Sequence, residues 1–241
     1  HPERPIVFLS ACYFLVAIGY LIRVGVGHEN IACEGDAIRY SVSGANLCLV
    51  VFLLIYFFGM ASSIWWVVLS FTWFLAAGLK WGNEAIASYA HFFHLAAWFI
   101  PFFQTFAVIL SGAVDGDPVS GICYVGNMNM ENLRMFVLAP LFVYLLVGTS
   151  FLLAGFVSLF RIRNVIKKQG GVGAGCKADK LEKLMIRIGI FSVLYTVPAV
   201  ILIGCHLYEN KYHDEWLKSI ACDCSNTSII SLKDKPLYSV L

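Results

Sequence analysis

Charge is scarce in this sequence and almost absent from its longest apolar runs. Of 241 residues, 13% are Asp, Glu, Lys or Arg and 59% are hydrophobic. A soluble domain of this size needs a far more polar surface. The net charge of +2 offers no electrostatic case for nucleic acid. Also lacking are a His-Glu-x-x-His pair, a Gly-x-Ser-x-Gly elbow and any nucleophile–base–acid set. Those gaps argue against an enzyme and give no reason to expect a cofactor.

What is present is apolar and comes in long blocks. A helix needs roughly 20 apolar residues to cross the hydrocarbon of a bilayer. Five blocks meet that standard, at residues 6–26, 47–78, 92–110, 136–160 and 188–208, and apart from Arg23 none holds an Asp, Glu, Lys or Arg. The second block is over-long, so it tilts or runs past the lipid on one side. In hydrocarbon the backbone must close its hydrogen bonds within the segment, which selects helix. The expected fold class is all-α, a polytopic membrane helix bundle with five spans.

The intervening loops differ in charge. The loop at 161–187 is basic through Arg161, Arg163, Lys167, Lys168, Lys177, Lys180, Lys183 and Arg187, against Asp179 and Glu182. The loops at 27–46 and 111–135 are net acidic through Glu29, Glu34, Asp36, Asp115, Asp117 and Glu131. The positive-inside rule puts 161–187 in the cytosol and the acidic loops outside. Five crossings then place the His1 end in the cytosol and 209–236 outside. That outer segment carries Asn226-Thr-Ser228, a glycosylation sequon usable only on the lumenal side. Cysteine usage agrees: Cys33, Cys48, Cys123, Cys222 and Cys224 fall at or beyond the outer face, where disulfides persist. Cys12 and Cys205 lie inside spans, and Cys176 lies in the basic loop. The ends read as those of a fragment, with a polar opening at His1-Pro-Glu-Arg and a further helix starting in Leu237-Tyr-Ser-Val-Leu241 after Pro236.

Several constellations are candidates for a role. A bridge between Cys48, at the head of the second block, and Cys123 would pin the outer loop across the helix mouth. The alternative is two free thiols, and an oxidising compartment favours the bridge. Cys33 has no evident partner in the chain. Cys222-Asp-Cys224 reads as a strained bridge, as halves of two bridges elsewhere or, least of all, as a metal pair, since no other ligand has the usual spacing. The basic loop is either a solvated face touching anionic lipid or a docking site for a cytosolic protein, and the two are compatible. Its start, Arg161–Lys168, reads as a basic helical extension of the fourth span, its middle, Gly170-Gly-Val-Gly-Ala-Gly175, as a flexible hinge, and Asp179 with Glu182 as a capping box for the last helix. Arg187 at the mouth of the last span either snorkels to headgroups or packs inward and holds that end closed. Pro198, deeper in the same span, kinks it. His91 and His94 suit a membrane-interface position better than a metal site. Trp65, Trp66 and Trp73 read as packing residues. Gly59-Met-Ala-Ser-Ser63 presents small residues for close helix contact.

A resemblance runs through His1-Pro-Glu-Arg-Pro-Ile6, Tyr56-Phe-Phe-Gly-Met-Ala-Ser-Ser-Ile-Trp-Trp66, Thr72-Trp-Phe-Leu-Ala-Ala-Gly-Leu-Lys-Trp-Gly82, Cys123-Tyr-Val-Gly126 and the stretch from Asp179 to Pro198. In that order these motifs resemble the Frizzled family of Wnt receptors, and the likeness covers nearly the whole chain. The loop Lys167–Gly175 is most similar to the branch holding paralogues five and eight. The resemblance implies helices two to six of a seven-helix receptor plus the start of helix seven. It implies that the lipid-binding cysteine-rich domain lies elsewhere. It implies a Cys48–Cys123 bridge, a Cys33 partner outside the chain, a switch at Arg187 and a kink at Pro198. The implied location is the plasma membrane. The implied partners are a Wnt protein, Dishevelled at the basic loop, a heterotrimeric G protein, an LRP-type co-receptor and membrane lipid or sterol.

The competing class is a transporter or channel. That class predicts ionisable residues at mid-membrane depth or paired broken helices, and the uncharged blocks argue against it.

Overall fold

In the computed structural model, residues 4–27, 31–34, 37–38, 46–117, 120–126, 129–169, 190 and 194–212 are described. Four helices among them are long and apolar enough to cross a membrane. The first, α1, spans Arg4–Val26. Its Pro5 costs no hydrogen bond because it lies in the first turn. The helix stops where Gly27 turns to a φ of 88° and donates back to the Arg23 carbonyl at 3.0 Å.

The second, α2, runs Leu47–Ala77 and contains a π-helical turn at Leu53–Phe57. After a short helix at Asn83–Ser88 comes α3, Ala90–Leu110, with Pro101 inside it. Next, α4 begins at Met130 and continues to Gln169, again through a π turn, at Arg134–Leu138. A fifth helix, α5, is described over 194–212. Two small antiparallel ladders interrupt the helical pattern. They pair β1 (Cys33–Glu34) with β2 (Ala37–Ile38), and β3 (Val114–Gly116) with β4 (Cys123–Val125).

Helix ends depart from the sequence reading at the start of α4 and at the far end of α5, while the helical extension expected at Arg161–Lys168 is present. The apolar block opens at 136, yet the helix starts at Met130, where the Asn129 side chain accepts from the Glu131 amide at 3.0 Å. At its other end α4 continues as helix through Arg161 and Arg163, and α5 runs on to residue 212. Hydropathy senses the lipid boundary, whereas the i→i+4 ladder is indifferent to it. Residues 130–135 and 209–212, expected in loops, are therefore helical.

The central helix is α2. Of its most apolar window 56% is buried, against 17% for α1 and α4 and 22% for α3. Near its Leu47 end it joins a cluster holding Val51, Phe52, Tyr56, Val125 and Val137. Further along, Ala61, Trp65 and Trp66 pack with Cys12 of α1, Ala97 of α3 and Leu152 of α4. Lipid is as apolar as leucine, so such contacts rest on close fit and small residues rather than on escape from water. Gly148 shows how close: a Cβ there would lie 2.1 Å from the Trp66 ring. The outward faces are bulky, with Phe99, Phe102, Phe103 and Phe106 of α3 all at least half exposed.

Candidate functional site

The end of the bundle carrying the β3–β4 hairpin is closed by a short stack. Cys48, in the first turn of α2, is disulfide-bonded to Cys123 of β4, with Cα atoms 5.3 Å apart across a sequence separation of 75. The bond ties the hairpin to the mouth of α2. Over it lies the segment 31–32, with the Ile31 carbonyl 3.3 Å from Cys123 Sγ. Gly116 admits the Ala32 carbonyl where a Cβ would sit 2.3 Å away. Within the hairpin loop, Ser120 donates to the Asp117 carboxylate through both its amide and its hydroxyl. Tyr124 points down toward Tyr56, ring centroids 6.0 Å apart. Burial pushes the Tyr124 phenol far above its ordinary range, so it stays protonated at any physiological pH.

Beneath the hairpin is a cavity of about 580 Å³ between α1, α2, α4 and α5. Its walls are mostly apolar, with hydroxyls from Ser10, Ser62, Ser63 and five tyrosines, 13, 56, 124, 144 and 195. The tyrosines are not interchangeable. Tyr56, 1% exposed, donates to the Phe136 carbonyl of α4 at 2.7 Å. Tyr195, on α5, stacks on Trp66 with centroids 4.5 Å apart and planes 13° apart. Its ring also lies 6.5 Å from that of Tyr13 of α1, and Tyr13, Ser62 and Ser63 line the same cavity. Ser62 and Ser63 both donate to the Gly59 carbonyl as well. Three helices thus meet in one aromatic and hydroxyl cluster. Pro198 is one turn beyond Tyr195 and lines the same cavity.

Near the hairpin α5 has a second attachment. The Arg134 guanidinium of α4 donates to Asn210 Oδ1 at 2.8 Å, and Asn210 Nδ2 returns a bond to the Met130 carbonyl at 3.4 Å. His206 and Glu209 pair beside it at 3.3 Å.

Residues 1–240 match the Frizzled/Smoothened family membrane region. The chain belongs to that family. It is 69% identical to Frizzled-2 of Drosophila melanogaster over all of its length, which is 34% of that relative. It is 68% identical to Frizzled-5 of Xenopus laevis over 93% of the chain and 39% of the relative. It is 61% identical to Frizzled-5 of Homo sapiens over the whole chain and 41% of the relative. The chain therefore spans between a third and about two fifths of the length of these relatives. A Frizzled membrane region with these apolar helices is a multi-pass membrane protein.

The remaining site residues of this Frizzled region are distributed as follows. Cys33 lies in β1. Arg161 is exposed near the end of α4, Arg163 is partly buried and engaged with a neighbour, and Lys167 and Lys168 lie in the same helix. Lys180, Lys183, Arg187, Cys222, Cys224 and Asn226 fall outside the described residues, as do Cys176, the glycine hinge and the capping box. His94 is a packing residue, its ring edge-on to Phe8 at 4.8 Å and to Trp65 at 5.0 Å. Among the described residues no cluster of three metal-ligating side chains occurs. Sequence reasoning singled out Pro198 but missed Tyr195 and treated Trp66 as packing alone. The available signal was spacing: Tyr195 and Pro198, three apart, share one helix face.

Proposed function

We propose that this chain is the transmembrane core of a Frizzled-type Wnt receptor, with the hairpin end outside the cell and the basic end of α4 in the cytosol. In this reading α1–α5 are helices two to six of a seven-helix receptor in the plasma membrane. Wnt engagement outside changes how α5 packs, and the cytosolic ends of α4 and α5, with the basic loop at 161–187, present a surface to Dishevelled or a heterotrimeric G protein. An LRP-type co-receptor and membrane lipid or sterol complete the partner set. Arg187 acts as a latch at the inner mouth of α5, and Arg161, Arg163, Lys167, Lys168, Lys180 and Lys183 supply the docking charge. Outside, Cys33 pairs with sequence beyond this chain, Cys222 and Cys224 form outer bridges, and Asn226 carries glycan.

The observation that carries the reading is the attachment of α5 at Tyr195. One ring stack next to a cavity and a proline makes a contact of about 0.5–1.5 kcal/mol beyond its buried area, a size that a ligand can overcome to shift a population. Tyr195→Leu, which removes the stack and keeps an apolar side chain, should therefore raise basal coupling several-fold while leaving folding intact. The assay is Dishevelled recruitment and G-protein activation by the full-length receptor in cells, with and without Wnt. Basal and stimulated coupling both unchanged in Tyr195→Leu and in Arg187→Ala would sink the switch. The topology is checked separately by mapping glycan on Asn226.

A further inference from the structure

At the end of the bundle opposite the hairpin, α2 and α3 are joined by a segment with an apolar surface. Leu79, Trp81, Tyr89 and Phe92 are all exposed there. Three of them form a chain of rings. Trp81 lies 5.8 Å from Tyr89 and Tyr89 6.3 Å from Phe92, with planes 37° and 33° apart. The backbone beneath them is held firmly. The Leu79 amide donates to the Phe74 carbonyl at 3.3 Å and the Trp81 amide to the Leu75 carbonyl at 3.1 Å, which turns the chain back after α2. Ser158 of α4 donates to the Ala77 carbonyl at 3.1 Å and fixes the same end from the side. Between Leu79 and Trp81, Lys80 takes a φ of 56°, which glycine adopts freely and lysine only at a cost. The position favours glycine and carries an exposed cation instead.

Continuity with α3 identifies what covers these rings. Phe92 opens an exposed face that runs on through Leu95, Phe99, Phe102 and Phe106, at helical spacings of three and four. In a multi-pass protein that face meets lipid. The 21 residues of α3 measure about 31 Å at 1.5 Å each, which matches a hydrocarbon layer of roughly 30 Å. Its Ala90 end therefore falls at the edge of that layer. Tyr89 and Trp81 lie just beyond, at the headgroup level where Tyr and Trp rings collect. A cytosolic protein approaching from below would meet a patch that continues sideways into acyl chains. Charge favours one class of lipid. Lys80 adjoins Trp81, and exposed Arg161 follows one turn after Ser158 on α4, while Glu84 is the acid in the short helix between the rings.

We propose that Trp81, Tyr89 and Phe92, with Lys80 beside them, form a seat for an anionic phospholipid of the cytosolic leaflet. The rings lie among the glycerol and upper acyl carbons, and the Lys80 ammonium meets the negatively charged headgroup. The seat rests on the reading that puts the hairpin end outside. To that reading it adds a lipid class and a binding place apart from the basic loop at 161–187. It holds the inner end of α2 at one depth in the bilayer while α5 moves.

The test places the photocrosslinker p-benzoylphenylalanine at position 89 of the full-length receptor. The receptor sits in nanodiscs of equal parts phosphatidylcholine and phosphatidylserine. After irradiation, mass spectrometry of the peptide carrying residue 89 sorts lipid adducts by headgroup. Phosphatidylserine adducts should exceed phosphatidylcholine adducts about fivefold, the preference that one lysine near an anionic surface supports. High salt should weaken that preference. In Lys80→Gly the two adducts should become equal. Glycine suits the left-handed backbone better than lysine, so thermal stability at or above the parent's separates this loss from misfolding. Equal adducts in the parent, or a preference that survives Lys80→Gly, would overturn the anionic seat. Crosslinks to added Dishevelled or G protein in place of lipid would overturn it too, and make the patch a protein-docking surface. Nanodiscs present the same lipids on both faces, so these results do not depend on topology. Sidedness is read apart, by the glycan on Asn226: its absence would overturn the topology, and with it the leaflet, but not the lipid class.

Discussion

The α2 and α5 helices are built from similar apolar residues and are held in opposite ways. In α2, Val51, Phe52, Ala61, Trp65 and Trp66 are each at most 2% exposed, and contacts come from α1, α3, α4 and the hairpin. Against the other helices of this chain, α5 leaves Leu194 68% exposed and Ile201 60%, with Ile203 the buried residue among those described, a face open to lipid or to a further helix of the seven-helix reading. Its described contacts with α1, α2 and α4 include the Tyr195 stack and the Asn210 bonds. Distributed packing makes a pillar whose position no single contact decides. Concentrated packing makes an arm that one or two contacts can release. A receptor needs both, since motion is informative only against a fixed reference.

The comparison can be tested from its strongest side. Trp66→Ala should cost about 3–5 kcal/mol, as for other large aromatic truncations, and be read as loss of surface expression and of thermal stability in detergent. Cys48→Ser, which frees the hairpin from the pillar, should cost about 4.5 kcal/mol on the chain-entropy argument and leave the protein retained before the cell surface. Gly148→Val forces a side chain into the Trp66 ring, and overpacking of this kind costs about 1–3 kcal/mol; Gly148→Ala should fall lower in the same thermal series. At the other extreme, Leu194→Ala on the exposed face of α5 should change thermal stability by no more than about 0.5 kcal/mol. If Leu194→Ala were as damaging as Trp66→Ala, the contrast between pillar and arm would collapse. If Cys48→Ser were harmless, the hairpin would have to be held by packing alone.

The sequence made much of this legible, for definite reasons. Transfer of apolar residues to lipid is large and additive, so the uncharged blocks announced a membrane helix bundle. The Cys48–Cys123 pairing followed from compartment and position before any geometry was known. The start of α4 escaped because Glu131 and Asn132 are polar, and hydropathy does not see a hydrogen-bond ladder continuing past the lipid. The π turns escaped for two different reasons. Leu53–Phe57 contains nothing that forbids regular α-helix, whereas the turn at Arg134–Leu138 had a local cue in Pro140, which has no amide for the Phe136 carbonyl and leaves it to the Tyr56 hydroxyl. Likewise Trp66 looked like packing because it does pack; that Tyr195 lies flat on it depends on how α5 sits.

There is one more consequence of α4. Its candidate span, Met130–Val165, covers 36 residues, about 54 Å at 1.5 Å per residue, well beyond the roughly 30 Å of hydrocarbon. Along that length its described π turn lies within the first three turns and the remainder, Ala139–Gln169, is α-helix. A helix that long cannot end at the lipid boundary, so Arg161 and Arg163 are held in place by a continuing helical ladder rather than left to a loose loop.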